Sequence, residues 1–82
     1  MRIVLVGQSG ADWRTYRQTQ WIGEVRRDPA ASALPRRHFD IGEDAYRACL
    51  GDWDRDGAGS GEAAALACLA RHGAVEVAGP GA

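Results

Sequence analysis

The chain is expected to fold as a small α/β or α+β domain of two layers, with about three short strands and two or three helices. Three features lead there. Met1-Arg2-Ile3-Val4-Leu5-Val6 is a β-branched run closed by Gly7, the pattern of a strand buried on both faces. Ala63, Leu66, Leu69 and Ala70 recur at helical spacing and predict a core-facing stripe. Between them, strand-like and helix-like stretches alternate.

In chain order, Ser9 and Asp12 follow the first strand with the spacing of a helix-start box. A helix is therefore predicted from about Ala11 toward Ile22, best supported over 11–20. Its apolar residues make no clean stripe, because Trp13 and Tyr16 share one side while Trp21, Ile22 and Val25 drift to another. Thr19, Trp21, Gly23 and Val25 also alternate as a strand face does, which leaves 21–27 open between helix and edge strand.

Arg26 to Pro35 breaks the chain, since proline removes a donor and restricts its predecessor. Phe39 and Ile41 alternate, predicting a second strand over 37–41. Asp40 stands three residues before Glu43, an acidic version of the start box. A short helix follows, with Ala45, Tyr46, Cys49 and Leu50 on one face and Gly51 as its end. Residues 51–61 read as a glycine-rich loop. Ser60 can cap the last helix, Glu62 suits its positive end, and Gly73 suits its C′ position. Ala74 to Val77 reads as a final strand. Residues 1–78 make one domain and 79–82 a flexible tail. The helices are expected on one face of the sheet. Right-handed crossovers would make the sheet parallel, whereas a hairpin of 19–25 with 36–41 would make it antiparallel.

Composition limits the rest. Eighty-two residues with fourteen Ile, Leu, Val and Phe supply a thin core, which three tryptophans and two tyrosines enlarge. A partner or a second copy, a homodimer included, could complete so small a domain. All ten basic residues are arginine, and the net charge is −1. Residues 1–40 carry seven Arg against four acids, and residues 41–82 three Arg against seven acids, which allows a two-faced molecule. The apolar run before Gly7 is too short for a signal peptide or a membrane span. The expectation is thus a cytoplasmic protein with two free thiols and no membrane role.

Four constellations could carry chemistry. Asp52, Asp54 and Asp56 alternate before Gly57, with Ser60 and Glu62 beyond, as oxygen ligands do in a calcium loop. Counted from Asp52, however, the acid that should close the shell at the twelfth position is Ala63, and Glu62 is one residue early. A capped, glycine-rich turn explains the same residues, so calcium is an alternative reading. Gly7 to Arg14 opens like a phosphate loop, but Asp12, Trp13 and Arg14 stand where glycine, lysine and a hydroxyl are needed. Cys68 and His72 share a helix face, and Cys49 and His38 could complete a zinc set, yet the close two-cysteine hook of structural zinc sites is missing. The first half interleaves Trp13, Arg14, Tyr16, Arg17, Trp21, Arg26 and Arg27, the residue types that dominate protein interfaces and can also stack on single-stranded nucleic acid.

No triad or dinucleotide turn is present, and acid pairs concentrate in a flexible loop, where rigid placement is hard to maintain. The sequence therefore favours a small non-enzymatic protein that binds a macromolecular partner, most simply another protein. An inhibitor, an immunity or antitoxin partner, a phage or other mobile-element protein, or an accessory subunit would fit. The alternatives are a calcium-binding module on Asp52–Glu62 and a nucleic-acid-binding accessory protein.

Overall fold

The computed structural model describes residues 1–79 and has the α+β architecture. Strands β1 (Arg2–Ser9), β2 (Asp12–Arg17), β3 (Arg36–Asp40) and β4 (Val75–Val77) form one sheet in the order β2-β1-β3-β4, antiparallel throughout. Helix α1 (Gln18–Arg27) connects β2 to β3 through a 3-10 turn at Pro29–Ala33. Helices α2 (Glu43–Trp53) and α3 (Glu62–Arg71) lie between β3 and β4.

The central strand is the one predicted, and its pleat organises the core. Ile3 and Leu5 face one side with Phe39, Ile41, Tyr46, Cys49, Ala65, Cys68 and Leu69. Val4 and Val6 face the other, against Trp21, with Tyr16, Val25, Ala31 and Leu34 around them. Helices α2 and α3 lie on one face, but the expectation that all helices share a face is corrected by α1. Helix α1 and the 3-10 turn add cover to the opposite face, which β1 needs because it is apolar on both.

The helix expected over 11–20 is corrected. Residues 12–17 are a strand, and the helix begins at Gln18 and runs through 21–27. The Ser9–Asp12 spacing closes a hairpin instead: the two residues pair across Gly10-Ala11. Gly10 has φ +55°, a backbone handedness that fits tight hairpin turns and disfavours other residues. Alternation then explains the aromatics. Trp13, Thr15 and Arg17 point toward α2, where the Thr15 and Tyr46 hydroxyls meet at 3.1 Å, while Tyr16 points toward Trp21.

Two further boundaries move. Gly51 does not end α2, which continues to Trp53, because the last turn packs against the cluster described below. The buried face of α3 is Ala65, Cys68 and Leu69, and the expected stripe members Ala63 and Ala70 are exposed. Leu50, expected on the buried face of α2, is 45% exposed. Gly79 begins the expected tail and lies against the His38 imidazole; residues 80–82 lie outside the described residues.

Candidate functional site

The segment from Trp53 to Gly61 joins α2 to α3 and meets the turn end of the β1–β2 hairpin. There an open groove of about 640 Å³ is walled by Trp13 and Arg14 on the hairpin and by Trp53, Asp54 and Ser60 on the segment. Close backbone approach builds it. A β-carbon on Gly59 would stand 3.0 Å from the Trp53 indole nitrogen and 3.3 Å from the Trp13 carbonyl oxygen. Gly57 reverses the chain at φ +64°. Trp13 and Trp53 are both half-buried against the core, so their rings are anchored while part of each remains accessible. Arg14 reaches Asp12 at 3.4 Å, and Asp54 has no ion-pair partner among the described residues.

Asp52 and Asp56, near the other side of this segment, reach a second cluster. Cys49 on α2 and Cys68 on α3 are fully buried, with their sulfurs 3.3 Å apart. One imidazole nitrogen of His72, at the end of α3, lies within 4.8 Å of both sulfurs. The Asp52 carboxylate is 3.0 Å from His72 Nε2 and also pairs with Arg55. An oxygen of Asp56 lies 3.8 Å from the Cys68 sulfur and pairs with Arg71. Burial, with the neighbouring Cys68, pushes the Cys49 thiol up to about 12. It is therefore protonated near neutrality and a poor nucleophile. Arg55, followed by His72, holds the Asp52 carboxyl below its ordinary range.

The calcium arrangement expected on the acidic segment is not formed. Asp52 sits within α2 and turns to His72, Asp56 turns to Arg71, and Asp54 lines the groove. Ser60 donates its hydroxyl to the Gly57 carbonyl, and Glu62 pairs with Arg37 at 2.8 Å. Continuation of α2 to Trp53 spreads the three carboxylates around a helix end instead of wrapping them about one point. Of the four zinc candidates, three come together. His38 is on the opposite face of the sheet, beside Trp21 in a second groove.

The aromatic and arginine set is also divided. Trp13 and Arg14 share the groove. Trp21 is 5% exposed and packs on Val4 and Val6, which corrects its expected place as a surface anchor. Tyr16 lies beside it, its hydroxyl 3.3 Å from the Gln8 amide. Arg17 pairs with Glu43 at 2.9 Å and stands over the Tyr46 ring. Arg27 pairs with Glu24, and Arg26 borders the second groove. Trp53 escaped sequence reasoning because it was read as part of an acidic loop. Asp52 was legible only through its helical spacing of three from Cys49.

No family model, curated protein or solved structure matches the chain. Among the described residues, no helix is long and apolar enough to cross a membrane.

Proposed function

We propose that the chain is a non-enzymatic binding domain whose groove between the hairpin turn and the Trp53–Gly61 segment receives part of a partner protein. The observation that carries this reading is the pairing of two anchored indoles with Arg14 and with Asp54, which has no ion-pair partner among the described residues, around one open groove. Rigid aromatics flanked by charge concentrate binding energy, because they bury large area at small entropic cost and the charges set orientation.

Charge favours a protein over a nucleic acid. Eight of the ten arginines are paired with carboxylates, and only Arg26 and Arg36 have none among the described residues. Phosphate binding needs a field of free cations, which this pairing removes. The non-enzymatic reading is supported by the buried, protonated state of the Cys49 thiol, the reverse of an activated nucleophile.

The test is affinity capture with the intact chain, with Arg14→Glu and with Asp54→Arg. Both reversals change exposed groove charges and leave the core untouched. The expected result is one stoichiometric protein partner that both variants lose while their melting temperatures stay unchanged. Capture undiminished by both reversals, or capture abolished by nuclease, overturns the proposal.

A further inference from the structure

We propose that Cys49, Cys68 and His72 form a binding site for one divalent transition metal of the zinc class, with two thiolates and an imidazole as its protein ligands. This stands apart from the groove reading and does not rest on it.

The three donor atoms lie within 4.8 Å of one another, and the two sulfurs are 3.3 Å apart. A tetrahedral zinc ion holds ligands at about 2.3 Å for sulfur and about 2.0 Å for nitrogen, which sets its sulfurs about 3.8 Å apart and sulfur from nitrogen about 3.5 Å apart. Small side-chain adjustments therefore separate the observed cluster from a coordinated one. Donor type selects the ion: thiolate and imidazole suit zinc and its neighbours, whereas calcium and magnesium require oxygen.

Charge balance points the same way. Binding breaks two S–H bonds, releases both protons to solvent and forms two metal–sulfur bonds. Two thiolates then neutralise a divalent ion, so no net charge is left uncompensated in the interior. The Asp52 carboxylate, 3.0 Å from His72 Nε2, is the kind of neighbour that orients metal-bound histidines. The Asp56 carboxylate also borders the cluster, 3.8 Å from the Cys68 sulfur.

The site ties the C-terminal half of α2 to the C-terminal end of α3. In a domain this small, a structural metal supplies what a thin core lacks.

The experiment titrates reduced, chelator-treated protein with cobalt(II) and then with zinc(II). The expected result is one cobalt per chain with a thiolate-to-cobalt charge-transfer band and strong visible bands of a tetrahedral ion, displaced by one equivalent of zinc. At a hundredfold excess over its dissociation constant, zinc should raise the melting temperature by about 10 °C or more. His72→Gln should weaken binding more than tenfold, and Asp52→Asn by about 10- to 100-fold. Cys68→Ser should lose the charge-transfer intensity of one sulfur. Because that variant removes a core group, reactivity of the wild-type thiols toward a thiol reagent, with and without zinc, provides a second readout. The proposal is overturned by an absent charge-transfer band, by thiols that zinc does not protect, or by a chain that forms a Cys49–Cys68 disulfide and takes no metal after reduction. Arg14→Glu and Asp54→Arg should leave the cobalt spectrum unchanged, so failure of the groove and failure of the metal site are told apart.

Discussion

The Trp13 indole lies against the bare backbone of Gly7, so closely that a β-carbon on Gly7 would stand 3.0 Å from the ring and 3.2 Å from Pro35. The two residues are directly paired across β1 and β2. Glycine thus provides the space that lets a tryptophan on an edge strand fold inward and form a wall of the groove.

Gly7→Ala should displace that indole. Overpacking of this kind costs about 1–3 kcal/mol, and Pro35 blocks retreat on the other side because its carbonyl accepts from Gly7 N–H at 2.9 Å. The expected outcome is a lower melting temperature together with a shift in tryptophan fluorescence. An unchanged emission spectrum would show that Trp13 is not held by this contact.

Trp21 belongs to the core rather than to a contact surface. Trp21→Ala should destabilise the domain by about 3–5 kcal/mol, a large share of what so small a fold possesses. Denaturant unfolding measures this directly. A loss below about 1 kcal/mol would contradict the packing of Trp21 on Val4 and Val6.

His38 makes stability depend on mildly acidic pH. Burial, followed by the charges of Arg36 and Arg2, lowers its proton affinity, and its Nδ1 is buried with no hydrogen-bond partner among the described residues. The unfolded chain binds the proton more readily than the native one, so stability is complete above the ordinary value of 6.5 and falls as pH drops through it toward the lower native value. Thermal melts across this window should show the loss, and His38→Leu should flatten it.

Arg37 ties α3 to the edge strand by reaching Glu62 at 2.8 Å and Glu76 at 2.7 Å. The hydrogen bonds to Arg37 hold the Glu76 carboxyl below its ordinary value of 4.5. A depressed carboxyl stabilises the fold above its unfolded value and loses that contribution as pH falls through the native one. Arg37→Gln should therefore remove an acid-side step and reduce the salt sensitivity of the melt. All three side chains are partly solvated, so the step at moderate salt should be small.

Local pattern was legible where burial and period agree. The continuous apolar run placed β1, alternation of Phe39 and Ile41 placed β3, and helical spacing placed α2 and α3, whose N-caps are Gly42 and Gly61 rather than the expected Asp40 and Ser60. The hairpin was missed because Ser9-Gly10-Ala11-Asp12 satisfies a helix start as well as a two-residue turn, and only pairing with β1 decides between them. The site was partly legible: Cys68 and His72 share a face by spacing alone, whereas the arrival of Cys49 and the departure of His38 required the packing of α2 on α3.

The amino-acid order by itself determined a thin α/β or α+β domain containing a strand buried on both faces, because hydrophobic periodicity is a property of neighbours along the chain. Tertiary structure alone decided the antiparallel order β2-β1-β3-β4, the burial of Trp21, and the parting of the acidic residues between a groove and a thiol–imidazole cluster. Those outcomes depend on contacts between residues far apart in sequence. Their free energies follow from which faces meet, which no short window of residues contains.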